Sequence, residues 1–192
     1  MKSKFTALIF DMDGTITVPI LNFKNIRKEI NIMEGDLTDE IKKLSPGRQQ
    51  ECWDIIEKHE KNAMKKQRLQ EGTKELLEQC KKMSLKIGLL TRNRTESVTH
   101  LCQRFDISFD SIISREYPYI KPNPKPILHM LEVWKISPEK CLMTGDYIHD
   151  IECGNAAGTQ TCFFQNPQKP DFGKDAHYTV KSMRELQELL FA

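Results

Sequence analysis

Two aspartates separated by one residue are the first side chains in this sequence whose spacing suggests catalysis. Asp11 and Asp13 come directly after the apolar run Phe5–Phe10, and Gly14 follows them. One carboxylate of such a pair can attack phosphorus and form an aspartyl-phosphate. A protonated neighbour can donate to the departing oxygen and later accept a proton from the attacking water. We therefore predict Asp11 as a nucleophile and Asp13 as an acid–base residue.

Further polar side chains follow three later apolar segments of the chain. These residues are Thr91, Arg92 and Asn93 after the second segment, Lys121 beyond the third, and Asp146 and Asp150 after the fourth. If the segments form adjacent parallel strands, their carboxyl ends meet at one edge of the sheet, where open α/β sheets place their ligands. The sequence therefore predicts that four carboxylates, a hydroxyl and an ammonium group converge at that edge.

Mg²⁺ is the cofactor that this set of side chains predicts. Carboxylates gathered in one place repel one another unless a cation neutralises them. Oxygen ligands without histidine or cysteine favour a hard ion, and Mg²⁺ commonly combines one or two carboxylates with water and substrate phosphate oxygens. Thr91 and Lys121 would bind the remaining phosphate oxygens, so that the metal and the lysine together offset the charge of a transferring phosphoryl group.

Short apolar runs alternate with segments of helical spacing, which predicts an α/β fold. The runs expected to form strands are Phe5–Phe10, Leu85–Leu90, Phe109–Ile113, Cys141–Thr144 and Thr159–Phe164. Each later run is preceded by a helical pattern, so the strands are expected to lie parallel in one sheet with helices on both faces. Such an arrangement is a three-layer, Rossmann-like core.

The alternation stops after Thr15, and the sequence up to about residue 69 predicts helices only. These helices are expected at about 22–32, 38–44 and 48–68. Residues 45–47, Ser-Pro-Gly, are interpreted as a turn between the last two helices, because proline and glycine would break either one. We therefore predict an α/β core domain formed by residues 1–14 and 70–192, and an inserted all-helical cap formed by residues 15–69.

Composition and charge limit the kinds of partner that the chain can have. The 192 residues include 39% hydrophobic and 29% charged residues, which is typical of a folded globular domain. The net charge of +2 is too small to predict a nucleic-acid partner. No stretch approaches the roughly 20 apolar residues of a membrane helix, and the six cysteines form no Cys-x-x-Cys pair. We expect a cytoplasmic protein without a membrane partner.

Four short motifs resemble those of the haloacid dehalogenase superfamily in order and spacing. They are Asp11-Met-Asp-Gly-Thr15, Leu89-Leu-Thr91, Lys121-Pro122 and Gly145-Asp-Tyr-Ile-His-Asp150. The chain looks like the phosphoglycolate-phosphatase-like branch, which carries a helical cap inserted directly after the first motif. The resemblance covers essentially the whole chain and implies the HAD-like fold. True dehalogenases of the superfamily do not keep the second aspartate of the first motif, so Asp13 favours phosphoryl transfer.

The resemblance implies a role for each motif residue. Asp11 would be the nucleophile and Asp13 the acid–base residue. Thr91 and Lys121 would bind the phosphate, and Lys121 also counts among the catalytic residues. Asp146 would bind Mg²⁺ together with Asp11 and the backbone carbonyl of Asp13.

Asp150 and Arg92 allow more than one interpretation. Asp150 is included among the candidate metal ligands, but it could contact the metal through water, orient Lys121, or stabilise the start of a helix at about Ile148. Arg92 is included as a candidate phosphate-binding residue, whereas arginines at such positions are more often ordinary surface residues. For Thr91 the alternative is a helix cap or a strand-end hydroxyl, which is compatible with phosphate binding.

The predicted function is hydrolysis of a small phosphomonoester. The partner is then a small phosphorylated metabolite, and the chain is expected to be a monomer or a weak homo-oligomer. One alternative is a sugar phosphomutase of the same superfamily, which would need cap residues that hold a sugar bisphosphate, and the sequence identifies no such set. A less favoured alternative is a catalytically silent binding module with the same fold.

Overall fold

A computed structural model describes residues 3–167 and 169–191 of the chain. The strands in these residues are β1 Ala7–Phe10, β2 Lys86–Leu90, β3 Ser111–Ile113, β4 Cys141–Gly145, β5 Gln160–Phe164 and β6 Tyr178–Val180. The α-helices are α1 Phe23–Ile30, α2 Leu37–Lys42, α3 Pro46–Lys66, α4 Thr73–Lys82, α5 Thr95–Phe105, α6 Lys125–Trp134, α7 Ile148–Ala156 and α8 Met183–Phe191. None of the helices within the described residues is long and apolar enough to cross a membrane.

The strands form one parallel sheet in the order β3-β2-β1-β4-β5-β6. Phe10, the last residue of β1, is paired with Leu89 of β2 and with Thr144 of β4. The segments that follow these three strands therefore begin at the same edge of the sheet. The parallel sheet confirms the predicted strand arrangement. Strand β6 was not predicted, because Thr179 separates its two apolar residues and leaves no apolar run in the sequence.

The central strand β1 separates two hydrophobic layers. Alternate side chains of a strand point to opposite faces: Leu8 and Phe10 pack into one cluster with residues of α4, α5 and α8. Ala7 and Ile9 pack into a second cluster with residues of α6 and α7. All four side chains are fully buried, as is usual for the centre of a parallel sheet covered on both faces. The structure thus confirms the three-layer α/β core.

The chain divides into two compact units. One comprises Met1–Pro19 with Arg68–Ala192 and contains the whole sheet, and the other comprises Ile20–Gln67 and contains α1, α2 and α3. The second unit has an apolar core of its own, formed by Ile26, Ile30, Ile41, Cys52 and Ile56. The inserted segment is therefore helical, and its action as a cap stays a prediction.

Helix α3 corrects one detail of the sequence analysis. The prediction of a turn over residues 45–47 was wrong for Pro46 and Gly47, because α3 begins at Pro46 and Ser45 is its N-cap residue. Proline is well tolerated in the first turn of a helix, since the N–H that it lacks would have no partner within the helix there. The proline therefore starts this helix instead of separating it from α2.

The two connections between the units are paired with each other inside the α/β unit. Val18 N–H donates to the carbonyl of Arg68 at 2.9 Å, and Gln70 N–H donates to the carbonyl of Ile16 at 3.0 Å. Thr17 and Leu69 form an antiparallel bridge between these two hydrogen bonds. The chain thus leaves and re-enters the α/β unit through a short antiparallel ladder.

Candidate active site

The loop after β1 is a tight turn held against β4. Asp11 N–H donates to the carbonyl of Thr144 at 2.9 Å, which continues the pairing of β1 with β4. Two further backbone bonds of 2.8 Å, from Thr17 N–H to Met12 and from Gly14 N–H to Thr17, close the turn. Gly14 has φ +92°, a conformation that other residues rarely adopt. The turn fixes the position of Asp11 at the carboxyl edge of the sheet.

Lys121 lies between two carboxylates at this edge. Its Nζ donates to Asp11 Oδ1 at 2.5 Å and to Asp150 Oδ1 at 2.6 Å. The Lys121 and Asp150 side chains are each 3% exposed, and that of Asp11 is 11% exposed. The second Asp150 oxygen accepts from Tyr147 N–H at 3.0 Å, just before α7 begins. Asp150 therefore contacts both Lys121 and the start of α7, which agrees with two of the interpretations left open above, and its role as a metal ligand stays a prediction.

Three buried carboxylates lie close enough together to hold a cation. One oxygen each from Asp11, Asp146 and Asp150 can be chosen so that all three lie within 4.8 Å of one another. A Cβ atom on Gly14 would overlap the Asp146 carboxylate, so the glycine lets the turn approach this group. Hard oxygen donors in a buried group suit a divalent ion such as Mg²⁺ or Mn²⁺. These residues therefore fit a divalent cation.

Burial and neighbouring charges shift the pKa values of Asp11, Lys121 and Asp146. Burial raises the pKa of Asp11 to about 7, and the carboxylates of Asp150 and Asp146 add to this effect, while the Lys121 ammonium opposes it. Burial alone would lower the pKa of Lys121, but Asp11 and Asp150 more than offset that effect and raise it. The pKa of Asp146 is raised by burial as well. A divalent cation bound here would lower the carboxyl pKa values and favour the ionised form of Asp11.

Asp13 has separate partners. Its carboxylate accepts hydrogen bonds from the Asn93 side-chain amide and from the Thr17 hydroxyl. Burial raises the pKa of Asp13, although the hydrogen bond from Asn93 opposes this effect. Asn93 N–H in turn donates to the Thr91 hydroxyl at 3.1 Å. The structure therefore connects Asp13 through Asn93 to the predicted phosphate-binding residue Thr91, and the predicted contact of the Asp13 carbonyl with a metal stays a prediction.

Asp146 is held by two residues that the sequence analysis did not single out. Asn166 Nδ2 donates to Asp146 Oδ2 and to the carbonyl of Gly14, both at 2.7 Å. Lys169 Nζ makes an ion pair with the same Asp146 oxygen. Both residues lie in the loop that follows β5, where the sequence shows neither a regular period nor a motif, so only their position beyond a strand end could have suggested them.

Arg92 and Asn93 follow Thr91 at the end of β2. The Arg92 Nη1 atom lies 3.0 Å from His149 Nδ1, on the residue that precedes Asp150. The carbonyl of Arg92 accepts from Arg115 Nε at 2.7 Å. The structure thus places Arg92 next to α7, and its contact with a phosphate stays a prediction.

Comparison with known proteins identifies the same family as the motifs. The family model described as haloacid dehalogenase-like hydrolase matches residues 8–164. A haloacid dehalogenase-like hydrolase domain-containing protein of Arabidopsis thaliana is 32% identical over an alignment of 208 positions, which covers 98% of this chain and 85% of the relative. The pyrophosphatase PpaX of Bacillus cereus is 32% identical over 113 residues, which cover 53% of this chain and 52% of the relative.

A solved structure shares the fold over nearly the whole chain. The crystal structure of a predicted phosphoglycolate phosphatase from Haemophilus somnus has a TM-score of 0.77, with 18% sequence identity, and the match covers 97% of this chain and 98% of that one. At this identity the likeness shows the fold alone. Together with the family match and the Arabidopsis relative, it confirms the resemblance found in the four motifs. The chain belongs to the haloacid dehalogenase-like hydrolases.

Proposed function

We propose that this enzyme is a Mg²⁺-dependent phosphatase that hydrolyses a small phosphomonoester through an aspartyl-phosphate on Asp11. The observation that carries the proposal is the contact of Lys121 with both Asp11 and Asp150, two carboxylates that each have an oxygen within 4.8 Å of an Asp146 oxygen. A buried lysine among carboxylates can offset the charge of a phosphoryl group at the residue that attacks it. The pyrophosphatase named among the relatives is consistent with phosphoryl chemistry.

In the first step, an Asp11 carboxylate oxygen attacks phosphorus, and the bond from phosphorus to the leaving oxygen breaks. Lys121 is positioned to stabilise the phosphoryl oxygens, because its ammonium already contacts the Asp11 carboxylate at 2.5 Å. The Thr91 hydroxyl, buried at the end of β2, would donate to another phosphoryl oxygen. Both contacts hold the transferring group in line with the nucleophile.

Asp13 carries the proton in both steps. Because burial raises its pKa, the carboxyl can be protonated when the leaving oxygen departs, and it donates its proton to that oxygen. In the second step the resulting carboxylate accepts a proton from the water that attacks the aspartyl-phosphate, and Asp11 is released. Asn93 and Thr17 hold the Asp13 carboxyl group in place during this exchange.

The metal site would be formed by Asp11, Asp146 and the backbone carbonyl of Asp13, with Asp150 close by. When bound, Mg²⁺ would neutralise the clustered carboxylates and offset charge on the transferring phosphoryl group. Arg92 is a further candidate for phosphate binding. The proposed partner is a small phosphorylated metabolite, and the proposed location is the cytoplasm.

The direct test is phosphate release by the purified chain from a panel of phosphomonoesters. The panel should contain phosphoglycolate, sugar phosphates and an aryl phosphate, with pyrophosphate added because of the relative's activity. We expect release in Mg²⁺, loss in EDTA and recovery when Mg²⁺ is restored. Release that EDTA does not affect would contradict the metal assignment, and no release from any substrate would contradict the phosphatase assignment.

The same assay separates the alternatives. A phosphomutase would convert one sugar phosphate isomer into another in the presence of a sugar bisphosphate, with little release of inorganic phosphate. A silent binding module would do neither, although it could still bind phosphorylated ligands. The matched control is Asp11→Asn, which keeps the size of the side chain and removes its negative charge.

A further inference from the structure

Lys169 differs from Lys121 in its exposure to solvent and in the number of carboxylates with which it forms ion pairs. Lys169 pairs with Asp146 Oδ2, the oxygen that also accepts a hydrogen bond from Asn166. Its side chain is 24% exposed, whereas the Asp146 side chain is 2% exposed. Lys121 is 3% exposed and is held between two carboxylates. One lysine is thus fixed inside the site, and the other reaches it from the solvent side.

Nothing in the proposed chemistry uses the charge of Lys169. Its backbone N–H donates to the carbonyl of Asn166 at 3.0 Å, which closes a turn between these two residues that both contact Asp146. Its ammonium lies 5.9 Å from the ring centroid of Tyr147, the residue after Asp146. The charge of Lys169 also acts on the Asp13 carboxyl, whose pKa it lowers against the larger effect of burial. The ammonium therefore faces the acidic group of the site.

We propose that Lys169 is an internal counter-ion that competes with the divalent cation for Asp146. This inference rests on the cation site of the proposed function. An ammonium in direct contact with a carboxylate neutralises it, and a divalent cation on that carboxylate would repel the ammonium. The flexible, partly exposed Lys169 side chain can move into solvent, while the buried Lys121 cannot do so without leaving two carboxylates uncompensated.

Two consequences follow from this competition. Lys169 stabilises the protein when no divalent cation is bound, because Asp146 is then buried beside a positive charge. It also weakens cation binding, because the cation must displace the ammonium or tolerate it nearby. A residue that merely positioned Asp146 for the metal would have the opposite effect on cation affinity, so the sign of the change separates the two roles.

The test is Mg²⁺ binding to the purified full chain, measured by isothermal titration calorimetry without substrate. Lys169→Met, which keeps most of the length of the side chain and removes its charge, should bind Mg²⁺ about tenfold more tightly than the wild type. In EDTA the same variant should melt about 5 °C lower, and saturating Mg²⁺ should remove that difference. Lys169→Gln provides a second neutral variant if Lys169→Met does not fold.

Two controls isolate the effect of the charge at this position. Lys169→Arg keeps the charge and should bind Mg²⁺ within about twofold of the wild type. Lys174→Met removes an exposed charge further along the same loop and should leave Mg²⁺ binding unchanged. Equal or weaker Mg²⁺ binding by the neutral Lys169 variants overturns this inference alone. If the wild type itself does not bind Mg²⁺, the proposed cation site and this inference fail together.

Discussion

The carboxyl edge of the sheet and the inserted helical unit use charged residues in opposite ways. At the edge, Asp11, Lys121 and Asp150 are buried and in direct contact. In the helical unit, ion pairs such as Lys61 with Glu57 lie at the surface, one turn apart on α3, around an apolar core. Surface pairs of this kind add little stability, whereas buried charges are costly unless they are paired. Glu60 of α3 is buried in the helical unit as well, so what distinguishes the edge is the direct contact of buried charges of both signs, a pattern typical of functional sites.

The largest effect that this contrast predicts is on catalysis. Asp11→Asn should lower kcat by at least about 10⁴-fold, because an amide cannot act as the nucleophile. The phosphate-release assay measures the loss, and circular dichroism checks that the variant is folded. Activity near the wild-type level would show that another residue attacks the phosphate. The buried charges at the edge would then not identify the nucleophile.

A second substitution at the edge should have a smaller effect that depends on the substrate. Asp13→Asn should lower kcat by about 10²–10⁴-fold for alkyl phosphates, because the leaving alkoxide then departs without a proton. Aryl phosphates, whose leaving groups are more acidic, should lose less. Rates with both substrate classes measure the difference, and an equal loss for the two classes would contradict the assignment of Asp13 as the proton donor.

A substitution inside the helical unit should change stability more than chemistry. Ile30 is 1% exposed, so Ile30→Ala leaves a cavity and should cost about 2–5 kcal/mol of unfolding free energy. Urea denaturation measures this change. Because the proposed catalytic carboxylates are untouched, kcat should fall less than in Asp13→Asn. A larger fall in kcat without a loss of stability would show that the helical unit takes part in the chemistry.

The last expected effect is a pH dependence of stability that arises from Asp11 at the edge. Burial raises the pKa of Asp11 to about 7, above the value of about 3.9 for an unfolded chain. The protonated carboxyl therefore contributes its full stabilisation below about pH 4, and this is lost as the pH rises through about 7, by up to about 1.4 kcal/mol per pH unit.

Thermal unfolding in EDTA between about pH 4 and pH 8 measures this dependence. The wild type should lose stability relative to Asp11→Asn as the pH rises, whereas the deficit of Ile30→Ala should stay the same at each pH. A constant difference between the wild type and Asp11→Asn would contradict the raised pKa of Asp11.

Two kinds of feature could be predicted from the sequence: the alternation of strands and helices, and the polar residues directly after the strands. The alternation of apolar runs and helices predicted the parallel sheet, and the polar residues after the strands drew attention to Asp11, Lys121 and Asp146. The structure brings Asp11 and Asp146 together because β1 and β4 are neighbours in the sheet. Lys121 joins them through its contact with Asp11. Local patterns carry this information, since a strand end can be recognised from a few residues.

The remaining features depend on contacts that local patterns do not encode. Lys169 meets Asp146 through a loop without a regular period, and its ion pair arises only once β4 and β5 lie side by side. Asn93 was noticed at a strand end, but its bond to Asp13 joins loops that are far apart in the sequence. The start of α3 at Pro46 was missed because proline usually interrupts a helix, and its place in the first turn, where it is tolerated, was not evident from the sequence.

Because residues 16–18 and 68–70 form a short antiparallel ladder, segments of other lengths could replace the inserted unit. The backbone bonds of the ladder bring the two ends of the insertion together, so a tight hairpin turn could span the same gap. The entropy cost of closing a loop grows only slowly with its length. The α/β unit can therefore accept inserts of different size at this point without a change in the register of its sheet or in the position of Asp11.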